Sequence, residues 1–181
     1  MDNIIGRVEE IQRLTDYINS DKADFYSLFY IHFVKERKIS DKTFWTNILN
    51  TPLHNVWTGF SFELLCQSHM EQIRRKLGIS GVITYTSSWR SRNEDDSVQI
   101  DLIIDRNDNV INVCEIKFSR KEFIITKDYD KNLRNKVWTF VEKTHTKKAI
   151  HITMLTTYGV KHNEYWNNIQ SEVTLDDLFA F

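Results

Sequence analysis

The chain has 181 residues, about one domain's worth, and is long enough to bury a core without disulfide or metal staples. Its 24 Lys and Arg against 25 Asp and Glu leave a formal net charge of −1, so overall charge marks neither a polyanion binder nor a membrane-surface protein. Five Gly and one Pro exclude collagen-like and Pro/Gly-rich disordered classes.

Cys66 and Cys114 stand far apart among apolar neighbours, which predicts two buried thiols, with a single disulfide as the other option. No apolar run is long enough to span a membrane. The N-terminus, Met1 to Arg7, lacks a basic region followed by an apolar stretch and cleavage site. A soluble, cytoplasmic protein with no membrane partner is the expectation. The glycines at 6, 59, 78, 81 and 159 are never followed by Lys. Neither a phosphate-cradling P-loop nor a dinucleotide fingerprint can be built from them.

The first half reads as helical. Glu9, Glu10, Ile11, Leu14, Tyr17 and Ile18 form a short amphipathic helix. Phe25, Leu28, Phe29, Ile31, His32 and Phe33 form a very apolar one, ending in the basic stretch from Lys35 to Lys38. Ser40-Asp41 caps a third, with Phe44, Trp45, Ile48 and Leu49 as its apolar face, and Pro52 closes it. A long helix then runs from about Trp57 to Leu77, ended by Gly78.

Beyond Gly78 the apolar period shortens to two. Strands are predicted at Val82 to Trp89, Val98 to Asp105 and Val110 to Phe118, with an acidic loop at Glu94-Asp95-Asp96. The turn Arg106-Asn107-Asp108-Asn109 has hairpin chemistry, and Asp105 and Asp108 are expected to shape it. A helix over about Asp128 to Lys143 follows, with Leu133, Val137, Phe140 and Val141 on one side. Lys148 to Thr157 is a fourth strand. Tyr165 to Ile169 reads as helical, Ser171 to Val173 as an edge strand, and Leu175 to Phe179 as a final turn. The order predicts an α/β fold around a mixed sheet. Trp45, Trp57, Trp138 and Phe140 are expected in the core. The histidines lack zinc-ligand spacing, so His32 and His69 are expected to be structural.

Candidate chemistry concentrates in the second and third strands. Glu115 and Lys117 share one face with Ile111 and Val113; Cys114, Ile116 and Phe118 point to the core on the other. A three-residue loop over Asn107 to Asn109 pairs Arg106 with Val110 and sets Asp101 directly opposite Glu115. A two-residue loop would put the two acids on opposite faces. In the first register two carboxylates repel unless a cation lies between them, and hard oxygen ligands suit Mg²⁺ or Mn²⁺. Lys117 would sit beside that metal and could orient or deprotonate a water, an arrangement suited to attack on a phosphodiester.

Asp101 followed after thirteen residues by Glu115-Ile116-Lys117 resembles the signature of PD-(D/E)XK nucleases; Ile100 stands where a proline often precedes the aspartate. The resemblance implies a restriction-endonuclease-like core of helix, three-stranded meander, helix and strand, preceded by N-terminal helices. It also implies a helical glutamate completing the site, and Glu63 in Gly59-Phe60-Ser61-Phe62-Glu63-Leu64-Leu65 matches that place. The helix from Asp128 would then be the second core helix, with Lys131 or Arg134 facing phosphate.

More narrowly, Gly59 to Cys66, Gln99 to Ile103, Cys114 to Phe118 and the tail Glu172 to Phe179 resemble the C-terminal domain of archaeal-type AAA+ ATPases. Ile5 to Leu14 resembles the box that opens their ATPase domain. This implies a start-box remnant over 1–20, a helical extension over 21–56 and a nuclease-like domain over 57–181, with the ATPase core missing.

Two functions are therefore expected. One is a Mg²⁺- or Mn²⁺-dependent nuclease acting on DNA, with Asp101, Glu115 and Glu63 at the metal and Lys117 at the water. The other is a catalytically silent DNA- or protein-binding module, able to dimerise or to work with a separate ATPase. From Lys117 to Lys148 ten basic residues face four acidic ones, a local excess of six. Arg120, Lys121, Lys131 and Arg134 in it are the candidate nucleic-acid contacts.

Overall fold

The computed structural model describes residues 29, 30, 33, 43–49, 51–91 and 98–180, with the Trp45 side chain excluded. The start box, the helix expected over 9–18, most of the one after it, the Ser40-Asp41 cap and the acidic loop at 94–96 lie outside the described residues. The chain divides into two compact units, Met1–Leu64 and Leu65–Phe181. Among the described residues there are five α-helices and one five-stranded sheet, and no helix is long and apolar enough to cross a membrane.

α1 (Phe44–Ile48) lies in the first unit and precedes α2 (Pro52–Ser68), whose last turn belongs to the second. Pro52 does not close α1 as expected; it opens α2. Proline is tolerated at a first helical position because the missing N–H would have no partner there. Thr51 caps that end, its Oγ1 accepting from the His54 N–H at 3.3 Å.

The expected single helix to Leu77 is also broken. α2 stops at Ser68 and α3 (Met70–Lys76) follows. At the junction the Ser68 hydroxyl donates to the Leu65 carbonyl at 2.9 Å, and His69 Nδ1 contacts the same oxygen at 2.8 Å. Such side-chain bonds compete with the helical ladder. Gly78 ends α3 with φ +69°, the left-handed backbone expected there.

The second unit is built on a sheet ordered β1 (Thr84–Arg90), β2 (Gln99–Arg106), β3 (Val110–Lys117), β4 (Ala149–Thr156) and β5 (Ser171–Thr174). The first three strands form an antiparallel meander; β3, β4 and β5 run parallel. The sheet is therefore mixed, as predicted. Its crossover between β3 and β4 carries α4 (Lys127–Thr144). A short 3₁₀ turn (Trp166–Asn168) precedes β5, and α5 (Leu175–Leu178) closes the chain with a Thr174–Asp177 capping box.

β3 is the central strand, and every residue from Ile111 to Ile116 is buried. One face is covered by α4, whose Val137, Phe140 and Val141 pack with Ile103, Ile111 and Val113. Further along, Leu133 and Tyr129 pack with Met154 of β4 and with Ile125 and Val160. On the other face Cys114 lies near Cys66 of α2; both are buried free thiols. Burial raises the Cys114 pKa, so the group stays a protonated thiol. Phe118, expected in the core, is 39 % exposed, because the strand ends one residue before it.

The β2–β3 turn decides where the acids fall. Leu102 pairs with Cys114, Ile103 with Val113, Ile104 with Asn112 and Asp105 with Ile111. That register corresponds to a three-residue loop, and Asn109 closes it with φ +65°, the left-handed residue such loops use. Replacing Asn109 by Val should therefore cost about 1–2 kcal/mol of stability, while Asn109→Gly should be neutral or slightly stabilising; urea denaturation of the two variants measures the difference.

Candidate functional site

Continuing the hairpin register by one pair sets Asp101 opposite Glu115. On the other side Glu115 is paired with Met154 of β4. Glu115 thus sits in the middle of the sheet, on the face covered by α4, near the carboxyl ends of the parallel strands β3 and β4. Ligands of α/β sheets commonly bind outside those ends.

Only 3 % of Glu115 is exposed, and a carboxylate buried this far needs compensation. Three side chains supply it. Lys136 Nζ donates to Oε2 at 2.6 Å. The Tyr129 hydroxyl donates to Oε1 at 2.8 Å, and Lys117 Nζ lies 3.1 Å from the same oxygen. Burial alone would push the Glu115 carboxyl up; Lys117, Lys136 and the Tyr129 hydrogen bond outweigh it and hold it below the usual range. Tyr129 is shifted up, by burial first and then by the Glu115 charge, and remains a neutral donor.

Asp101 is in the opposite position. Its single hydrogen bond among the described residues is a long one, from the Ile116 N–H to Oδ2 at 3.4 Å. Burial and then the charge of Glu115 raise its pKa, and Lys117, Lys136 and the Ile116 N–H offset this only in part. A cation between the two carboxylates would relieve that repulsion, and two adjacent oxygen donors suit a hard divalent ion. The pair therefore fits Mg²⁺ or Mn²⁺ in donor chemistry. Among the described residues no three His, Cys, Asp or Glu side chains form a metal-holding group.

The other predicted residues are dispersed. Glu63 is half-buried on α2, in the first unit. Arg120 and Lys121 are exposed in the loop after β3, two or three residues past Lys117's neighbour Phe118. Lys131 is exposed, on the side of α4 opposite Tyr129 and Lys136. Arg134 is held by Asp130, a buried acid, at 2.8 Å. Asp130 also accepts from Asn168 Nδ2 at 2.7 Å, which ties the 3₁₀ turn to α4. Trp138, expected in the core, is 63 % exposed on that outer side of α4, beside Lys131 and Arg134; Phe140 is buried as expected.

Half of the ten bases between Lys117 and Lys148 are therefore paired with acids. Lys117 and Lys136 pair with Glu115, Arg134 with Asp130, Lys143 with Glu142 and Lys148 with Asp105. Asp105 thus ties β2 to the start of β4, whereas Asp108 shapes the turn through Arg106. His69 stands at the α2–α3 junction with its Nδ1 2.8 Å from the Leu65 carbonyl oxygen.

Sequence reasoning missed Tyr129 and Lys136. The available signal was a polar residue at an apolar position: Tyr129, Leu133, Lys136 and Phe140 recur at helical spacing on the stripe that packs on the sheet. A lysine on such a stripe implies a buried acid opposite it.

The chain matches no family model, no curated protein and no solved structure.

Opposite pKa shifts predict opposite stability effects. Glu115 titrates lower in the fold than in the unfolded chain, so its contribution is present at neutral pH and is lost as pH falls through its depressed value. Glu115→Gln should cost about 3 kcal/mol at pH 7. Asp101 titrates higher in the fold, so its ionisation opposes folding once pH rises above the ordinary aspartate value. Asp101→Asn should be more stable than wild type at pH 7 and indistinguishable from it well below about pH 3.9. Chemical denaturation across pH in EDTA measures both.

Proposed function

We propose that residues 57–181 form a restriction-endonuclease-like domain that hydrolyses DNA phosphodiesters with Mg²⁺ or Mn²⁺. The observation that carries this reading is the pairing of Asp101 with Glu115 across the β2–β3 hairpin, with Lys117 on the same face two residues on. The succession of helix, three-stranded meander, helix and strand supports the fold assignment.

Asp101 and Glu115 would hold the cation. The bound ion would supply Lewis acidity toward the phosphodiester and neutralise its developing charge. Lys117, whose side chain is partly exposed, can turn its ammonium toward a water and orient it for in-line attack. Arg120 and Lys121 follow on the adjoining loop, exposed and without an ion-pair partner among the described residues, and can take flanking phosphates as counter-charges. Lys131 and Arg134, on the far side of α4, would extend that contact only to a polymer long enough to wrap the helix.

One observation favours a second reading, a catalytically silent binding module. Both Glu115 oxygens already have protein donors, so the cluster is stable as a purely structural polar network.

Incubation with supercoiled plasmid and with a four-way DNA junction in Mn²⁺ separates the two. Wild type should cleave at least one substrate, and Lys117→Ala should lower the rate by about 100-fold or more. Equal cleavage by both proteins would exclude the proposed role of Lys117. No cleavage by wild type would select the silent module.

A further inference from the structure

We infer that Lys136 is a displaceable counter-ion that holds the place of the divalent cation on Glu115, while Tyr129 is a positioning residue that stays on the carboxylate when the metal binds. The inference rests on the reading of Asp101 and Glu115 as the metal pair.

The geometry distinguishes the two donors. Lys136 Nζ sits 2.6 Å from Glu115 Oε2. A Mg²⁺ ion on that oxygen at about 2.1 Å would stand less than about 5 Å from the ammonium. Two like-signed ions at that distance, one divalent, repel strongly in a partly desolvated site. Glu115 cannot keep both at full strength. The Tyr129 hydroxyl shares the other oxygen, Oε1, at 2.8 Å with Lys117 Nζ at 3.1 Å, and Lys117, on a partly exposed stem, is the group the proposed function already turns toward water. Tyr129 is neutral, so it has no charge conflict with a metal and keeps the carboxylate plane fixed.

The placement of Lys136 also permits release. It stands on the inner face of α4, between Leu133 and Phe140, yet 24 % of its side chain is exposed. A lysine carries its charge on a flexible four-carbon stem that can lie on apolar surface while the ammonium reaches water. The ion pair therefore has an exit that does not require α4 to move. In the absence of metal, Lys136 neutralises a carboxylate that would otherwise be buried beside Asp101; with metal bound, that task passes to the ion.

Substitutions at the two donors should then act with opposite signs on metal affinity. In Mn²⁺ titration calorimetry on the full chain, Lys136→Met should bind about tenfold more tightly than wild type, the scale of one charged hydrogen bond. Lys136→Gln, which keeps a neutral donor and guards against misfolding of the Met variant, should shift the same way. Tyr129→Phe should bind more weakly, and Asp101→Asn should abolish binding. A role that is only structural would weaken binding at Lys136 and Tyr129 alike.

Unchanged or weaker binding by both Lys136 variants, with Asp101→Asn still abolishing it, would overturn the counter-ion role and leave the metal pair standing. Absence of Mn²⁺ binding in wild type and in both Lys136 variants, or binding indifferent to Asp101→Asn, would overturn the metal pair and the inference with it.

Discussion

Placing the Glu115 carboxylate in the central strand of a sheet covered on both faces constrains much of what surrounds it. A carboxylate shut away from water needs charge and hydrogen bonds delivered to both oxygens. The neighbouring strands cannot supply them: β4 presents Met154, and β2 presents a second acid. The donors come instead from β3 itself, through Lys117, and from the helix above, through Tyr129 and Lys136. The helix is thereby fixed in rotation, since a turn that would swing Lys136 outward would also expose Leu133 and Phe140.

The same arrangement polarises the sheet. At the start of β3 and β4, the Lys148–Asp105 pair and the Arg106 bond to Asn112 Oδ1 consume the polar groups locally. At the other end Lys117, Arg120 and Lys121 lie in succession where the parallel strands terminate. Charge that looks uniformly basic along the sequence from Lys117 to Lys148 is in space two populations. One is paired with acids, and the other, which includes Arg120 and Lys121, is exposed. Sequence density of charge overstates a field when helical spacing places a base on an acid, as with Asp130 and Arg134.

What was legible in the sequence follows from the range of the forces involved. Strand and helix order was readable because apolar period is local. The hairpin register was readable up to the loop length, and Asn109 resolves that choice by taking left-handed backbone. The break at His69 escaped because apolar periodicity continues through it, while the competing bonds of Ser68 and His69 to Leu65 leave no periodic trace. Pro52 opens α2 where the pattern pointed to the end of α1, because a proline can end one helix or begin the next and only the Thr51 cap tells which. Trp138 lies outside the core because its position on α4 faces away from the sheet, whatever its aromatic character. Tyr129 and Lys136 lie 14 and 21 residues from Glu115. Finding them requires knowing which face of α4 meets the sheet.

The character of the cluster turns finally on Asp101, not on Glu115. The hydrogen bonds of the network close on Glu115, which takes both ammonium groups and the phenol without using Asp101. A second carboxylate beside Glu115 adds repulsion, and its single long hydrogen bond from Ile116 does little to compensate. An uncharged residue of the same shape could still accept that bond and would remove the repulsion. Under the proposed reading a cation between the acids would relieve that repulsion and give the carboxylate a role. Asp101 thus argues for a cation-binding reading more strongly than Glu115, whose partners are complete without one.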